Sequence, residues 1–244
     1  MRLFLLCSLL PLLLLWGCAP AVEPSKSAAE YYQDGEAFYA RGQYKDALEA
    51  LEKAREIYET AELNMQAELK IADTHFAAKE YVEAAAAYED FLKQHPGHPE
   101  TSRVMYQLGT SHFNQILAID RDQTATRNAL VAFESLVNLY PDDPRAGEAP
   151  ERIRYCRDHL ADNELYISRF YLKTEEYLAA IDRLRSLLEN YPDYSRKDQV
   201  LFYLGLGYLE GGHPPLAALQ FENLLQQFPQ SKLTARTNDL LRGM

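Results

Sequence analysis

The thiol of Cys156 and the imidazole of His159 stand three residues apart, a spacing that sets them side by side on one helix as a nucleophile and its base would need. Flanking acids and a place in the apolar series Ile153, Cys156, Leu160 favour an inert packed thiol instead. His95 and His98 are as close, but Pro96-Gly97 splits them and no third His or Cys joins them, so a helix-ending turn explains them better than a metal pair. Gly205-Leu206-Gly207 lies inside a helical pattern with no phosphate-loop context and reads as close helix packing. No constellation argues for an enzyme, and no cofactor is expected beyond a covalent lipid.

That lipid belongs to Cys18. Arg2 supplies a charged start, and Leu3 to Trp16 form a Leu-rich run of 14 residues, short of the ~20 that a membrane-spanning helix needs. Leu15-Trp16-Gly17-Cys18 resembles a bacterial lipobox, in which the cysteine sulfur receives diacylglycerol and the freed amine is usually acylated too; Trp16 is an unusual occupant of the variable position. Two or more acyl chains, at ~0.8 kcal/mol per buried methylene, anchor a protein stably where one would not. Ala19 after the cysteine, rather than aspartate, favours the periplasmic face of the outer membrane. The other reading is an ordinary secretory leader with a chance cysteine.

Loss of Arg2 with the leader takes the formal charge from −11 to −12, which argues against nucleic acid or a lipid headgroup surface as partner; the membrane is expected to be reached through the lipid anchor. Cys7 leaves with the leader and Cys18 is modified, so Cys156 has no partner for an intrachain disulfide. Sparse Gly and abundant Ala, Leu, Glu and Tyr point to helix.

The elements that position these residues repeat. A small residue is followed by apolar residues four and seven later and by an aromatic or His eleven later in five copies: Ala47/Leu51/Ala54/Tyr58, Ala84/Tyr88/Phe91/His95, Ala129/Phe133/Leu136/Tyr140, Ala180/Leu184/Leu187/Tyr191 and Ala217/Phe221/Leu224/Phe228. Those offsets lie on one helical stripe, so each copy is an amphipathic helix. Pro96, Pro141, Pro192 and Pro229 end four of them; Glu59 breaks the rule in the first. Twelve residues before the small residue stands another (Gly35, Ala72, Ser168, Gly205), with an aromatic or His three later (Phe38, His75, Tyr171, Tyr208). This is a second helix with its own close-contact point, joined by turns such as Arg41-Gly42-Gln43. The pairs look like tetratricopeptide repeats. The expected fold is therefore all-α, a superhelical array of five such helix pairs with a long central helix.

The anchor alanines lie 37, 45, 51 and 37 residues apart. In copy three the small residue is Gly109, and the surplus around Asp120-Arg121-Asp122-Gln123-Thr124 predicts a longer helix after Met105 and a charged loop capped by Thr124 or Thr126. The longest spacing predicts one helix from about Arg145 to Lys173 with Ile153, Cys156, Leu160, Ile167 and Phe170 on its inner stripe. The expected organisation is a leader over 1–17, a lipid-anchored tether over 18–29, repeats one to three over 30–144, and the long helix with repeats four and five over 145–244.

With these features the chain resembles the BamD lipoproteins of the bacterial β-barrel assembly machinery over nearly all of its mature length. The telling stretches are His98-Pro99 with Val104-Met105-Tyr106, the Asp120-Arg121-Asp122 insertion, and Glu164-Leu165-Tyr166 leading into Phe170-Tyr171. Departures are the missing aromatic-Pro end after the first repeat and a short tether carrying Pro20 and Pro24. The resemblance implies a non-enzymatic scaffold whose C-terminal repeats dock on the periplasmic domains of BamA, whose N-terminal groove receives unfolded outer-membrane proteins, and which other assembly-machinery lipoproteins join.

Arg183 is the candidate for docking on BamA. It stands three after Ala180, where the other copies have Ala50, Ala87, Ala132 and Gln220, so a repeat core does not demand it. The family's arginine at the matching point pairs with a BamA carboxylate; the alternative is an intrachain ion pair with Glu189 or Asp158. Tyr31, Tyr32, Phe38, Tyr39, Tyr44 and Tyr81 enrich the first repeats in rings, most of them expected in the core, and Tyr32 and Tyr39, off the packing register, are the groove candidates. Two other function classes stand beside this one: a repeat lipoprotein coordinating cell-wall synthesis or piloting a secretin, and a hydrolase using Cys156. The anchor generates the first test. Cys18→Ala is expected to leave a folded chain in the soluble periplasmic fraction, and its retention in the membrane pellet would contradict lipid attachment.

Overall fold

The computed structural model describes residues 26–244; Cys18, the leader and the tether up to Pro24-Ser25 lie outside the described residues. Within them are eleven helices and no strand: α1 (Ala28–Ala40), α2 (Tyr44–Ile57), α3 (Ala61–Ala77), α4 (Tyr81–Gln94), α5 (Thr101–Phe113), α6 (Thr124–Leu139), α7 (Pro144–Lys173), α8 (Tyr177–Asn190), α9 (Lys197–Glu210), α10 (Pro214–Gln227) and α11 (Thr234–Gly243). None is long and apolar enough to cross a membrane. Helix α1 begins two residues before the expected end of the tether, because Ser27 and Glu30 form a capping box: the Ser27 hydroxyl accepts from the Glu30 amide and the Glu30 carboxylate accepts from the Ser27 amide.

Each helix packs mainly on its neighbours in the chain, so the core is a row of local clusters rather than one centre. The spacing that reveals the repeats is the contact that makes them. A Cβ added to Gly35 would lie 2.6 Å from Leu51 Cγ, one on Gly109 2.8 Å from the Phe133 ring, and one on Gly205 2.4 Å from the Phe221 ring. The small residue of the first helix thus receives the apolar residue of the second, and Leu51, Phe133 and Phe221 are completely buried.

Four of the five pairs close with the same turn. The amides of Gln43, Glu80, Glu176 and His213 donate back to the carbonyls of Phe38, His75, Tyr171 and Tyr208, the six-to-one bond of a Schellman motif. The residue before each of those amides is left-handed: Gly42, Lys79, Glu175 and Gly212, with φ of +73°, +63°, +65° and +82°. The other end of each pair follows the prolines. His95, Tyr140, Tyr191 and Phe228 share φ near −130° and ψ near +60°, a conformation outside the helical region that a following proline disfavours. Tyr58, followed by Glu59, instead turns left-handed at φ 49°, and Thr60 caps α3 by accepting from the Leu63 amide at 3.2 Å. The missing proline therefore gives repeat one a different exit.

Two expectations about the irregular spacings need correction. Helix α5 is not lengthened: the Asn114 and Gln115 side chains fold back onto the carbonyls of Thr110 and Ser111 and satisfy the helix end at Phe113. The inserted residues become a loop, and its exit is capped by Asp122, which accepts from the Thr124 amide at 2.9 Å, while Thr126 is buried and donates to Gln123. The long helix runs over 30 residues from Pro144 to Lys173, opened by the Asp143 carboxylate on the Arg145 amide at 2.8 Å and interrupted in its hydrogen-bond ladder by Pro150. Its fully packed stripe includes Cys156, Leu160, Leu165 and Ser168, whereas Phe170 is 57% exposed. Repeat four needs a small residue, Ser168, against α8, and that register turns Phe170 outward.

Glycine is the residue that a left-handed cap tolerates without a Cβ penalty, and Glu175 occupies such a cap. Glu175→Gly is expected to raise stability by about 0.5–1 kcal/mol in chemical denaturation with an unchanged slope; a loss of stability would show that its side chain contributes more than the strain.

Candidate functional site

The two groove candidates lie on α1 against α3. Tyr32 and Tyr39 are each half-buried. The Tyr39 ring meets Tyr44 edge-on at 5.9 Å and lies 4.4 Å from the Lys70 ammonium. Burial, then the negative charge of Glu36 and Asp73, raises the Tyr32 phenol above its ordinary value; burial followed by Asp73 does the same for Tyr39. Asp73 is the hub of this face. It accepts from the buried Tyr88 hydroxyl at 2.7 Å and from Arg103 on α5 at 2.8 Å, and Arg103 also bonds Glu100 at 2.6 Å. One carboxylate thereby ties α3, α4 and α5 together beside two half-exposed rings. None of the six aromatics expected mostly in the core of the first repeats is fully buried; all six are half-exposed.

Arg183 on α8 pairs with Glu164 on α7, both side chains being 33% exposed, and its guanidinium lies 5.8 Å from the Tyr171 ring. An intrachain partner exists, but it is neither Glu189 nor Asp158. Because α7 and α8 run antiparallel, the level of Arg183 on α8 is the level of Glu164 on α7. Asp158 lies lower, where Arg157 reaches the Asn190 carbonyl and Asp158 itself accepts from the Ser195 amide. Arg183 borders an open cleft of about 440 Å³ lined also by Asp182, Ser186, Asn190 and Tyr191. Sequence spacing could single out the arginine but not its partner, which depends on the register of two helices.

The remaining chemistry-bearing residues do not converge. Cys156 is fully buried among Ala129, Phe133 and Ala149, and desolvation pushes its thiol up to about 12. His159 is engaged elsewhere: it stacks on Tyr155 at 5.7 Å, and its Nε2 donates to the Leu117 carbonyl at 2.9 Å. Asn163, one turn on, donates to the Ile119 carbonyl at 2.6 Å. These two side chains fasten the inserted loop onto α7, a role that no motif announced. His95 contacts Glu68 at 2.8 Å while His98 accepts from the Glu100 amide at 3.1 Å. Among the described residues no group of three His, Cys, Asp or Glu side chains is placed to hold a metal ion.

Compared with known proteins, residues 24–215 match the family described as YfiO, outer membrane lipoprotein. The chain is 30% identical over 181 residues to outer membrane protein assembly factor BamD of Caulobacter vibrioides, covering 74% of this chain but only 59% of that protein. It is 30% identical over 215 residues to the protein of the same name from Neisseria gonorrhoeae, covering 84% of this chain and 80% of the relative. The protein of that name from Vibrio cholerae is 29% identical, with coverages of 77% and 83%. Among solved structures, the TPR2AB domain of yeast Sti1 aligns over 83% of this chain and 78% of its own at 12% identity and a TM-score of 0.45, a likeness too loose to inform the site.

The relatives' names describe assembly rather than catalysis, and Cys156 supplies this chain's own test. The thiolate is the reactive form, and a thiol raised to about 12 stays protonated at neutral pH. The Cys156 thiol of the folded mature protein is expected to resist a disulfide reagent at pH 7 and to react once guanidinium is added; rapid labelling of the native chain would reopen a nucleophilic role.

Proposed function

The chain belongs to the YfiO family of outer membrane lipoproteins, to which the BamD assembly factors are its relatives, and from that premise we propose that it is a non-catalytic scaffold of outer-membrane protein assembly. It is held at the periplasmic face of the outer membrane by lipid on Cys18, docks on BamA through Arg183, and receives unfolded outer-membrane proteins on the face bearing Tyr32 and Tyr39. The observation that carries the docking reading is Arg183 itself: a guanidinium that the repeat core does not require, one-third exposed at the rim of a cleft, already seated on Tyr171 and Glu164. A guanidinium fixed in this way presents its remaining donors in a set direction, and a second carboxylate can be recognised bidentately without ordering a flexible side chain first.

The N-terminal face supports substrate reception by its composition. Tyr32 and Tyr39 offer ring faces, while Asp73 and Arg103, bonded to each other, and Lys70, paired with Glu36, supply charges of both signs. Such a face holds an extended chain through stacking and rim contacts rather than through one deep pocket, which suits substrates of varied sequence. Arg183→Glu is expected to reduce co-purification of BamA by about tenfold or more while the helical circular dichroism stays unchanged, since truncation of a hydrogen-bonded interfacial charge costs roughly 2–5 kcal/mol. Native affinity purification that returns a secretin or a cell-wall synthase without BamA would sink the assembly reading; unaltered BamA recovery with Arg183→Glu would leave the arginine as a local ion-pair partner.

A further inference from the structure

Helix α8, which carries Arg183, is tied to α7 at two levels. Glu164 meets Arg183 at one; at the other, Arg157 donates to the Asn190 carbonyl at 3.3 Å. The two ties are in register: Glu164 lies seven residues from Arg157 on α7, and Arg183 seven from Asn190 on the antiparallel α8, about 10 Å along either axis. Asn190 is the last residue of α8. Its carbonyl is one of those that a helix end leaves without an intrahelical partner, and a guanidinium there also meets the negative end of the helix dipole.

Tyr191 stands between the two ties. It lines the cleft of Arg183 on one side and, on the other, a second cavity of about 420 Å³ walled also by Val137, Ile153, Arg157 and Tyr194. The Arg157 guanidinium lies 5.9 Å from the Tyr191 ring. The Tyr191 phenol is raised first by burial and then by the charge of Glu164, with Arg157 and Arg127 opposing. Arg157 also reaches Glu134 on α6 at 3.6 Å, so one side chain joins the third repeat to the end of α8 and to a wall of the docking cleft. The Arg157 and Glu134 side chains are 35% and 42% exposed, and a pair so open to water adds little to stability. What three contacts on one planar guanidinium do fix is direction.

We propose that Arg157 is a positioning residue for the docking of BamA at Arg183, an inference that rests on that docking. A partner carboxylate that takes up donors of Arg183 has to share the guanidinium with Glu164, which loosens the upper tie between the helices. The lower tie is made to a backbone carbonyl outside that exchange of carboxylates. It keeps the end of α8 and the Tyr191 ring where the partner meets them, and through Glu134 it gives them the third repeat as a support. Arg157 acts through Asn190 and Tyr191 and touches no partner itself.

For the test, the full-length protein in detergent is titrated with the purified periplasmic domains of BamA, with circular dichroism and chemical denaturation of every variant. Arg157→Gln is expected to weaken binding about fivefold with the folded fraction unchanged. Arg157→Lys, which keeps the charge and a donor, is expected to bind within about twofold of the parent. Glu134→Gln is expected to weaken binding about twofold on its own and to add nothing to Arg157→Gln, because it acts through the same side chain. Equal affinity of Arg157→Gln and the parent overturns the proposal. So does a loss that Arg157→Lys fails to recover, an additive loss in the double variant, or a loss that follows the folded fraction. Arg183→Glu separates the two readings. If it loses BamA while Arg157→Gln does not, docking at Arg183 stands and the positioning role falls; if it binds like the parent, the docking reading falls and takes the positioning role with it.

Discussion

Everything else in this protein depends on how closely two helices of a pair can approach. Where Gly205 meets the Phe221 ring or Gly109 the Phe133 ring, there is no space for even one more carbon. The aromatic side chain on the second helix fills the volume that a Cβ on the first would occupy, so the pair is fixed both in distance and in register. Fixing the register fixes what stands at each level of the two helices. The Arg183 and Glu164 pair, the meeting of Arg157 with the Asn190 carbonyl, and the outward turn of Phe170 are consequences of that packing. A substitution at one contact would therefore act on polar contacts several turns away.

Polar groups do a second kind of fastening, between pairs rather than within them. Asp73 gathers Tyr88 and Arg103 from the two following helices. Ser102 donates to Asp143 across the third pair at 2.7 Å, and the same carboxylate starts α7. With Ser102, then the Arg145 amide, bonded to its charged form, the Asp143 carboxyl is held below its usual range. A depressed carboxylate contributes fully above its unfolded value, and the contribution is lost as pH falls through the folded one. The junction before the long helix is accordingly built to be complete at neutral pH. His159 and Asn163 extend the principle to the inserted loop, whose carbonyls they hold against α7.

The repeat positions were legible because the same physics recurs: in four of the five copies a small residue has its apolar partner sixteen residues later, and in four a proline stops the second helix, which together leave a periodic record. One helix from about Arg145 to Lys173 was legible from the 51-residue spacing, and the structure carries it through Pro150, which breaks the ladder without ending the helix. What could not be read were features set by distance across the array. The end of α5 at Phe113 depends on the Gln115 amide reaching the Tyr81 carbonyl at 2.9 Å, thirty-four residues away. The partner of Arg183 depends on antiparallel register, and the exposure of Phe170 on which residue of α7 has to be small. Arg152 looked like one charge among many, yet it lies over Tyr106, Phe113 and Phe133.

The break in the ladder of α7 at Pro150 has a mechanical meaning. Proline withholds one amide and displaces the carbonyl a turn before it, so bending stiffness is lowest there. Beyond it the helix continues unbroken to Lys173, about 35 Å at ~1.5 Å per residue. A tilt of a few degrees at the proline would carry the far end by two or three ångströms while leaving the side chains along the shaft in fixed relation to one another. The protein thus has a stiff boom with its pivot close to the N-terminal repeats, and what sits at the tip is moved as a unit rather than deformed.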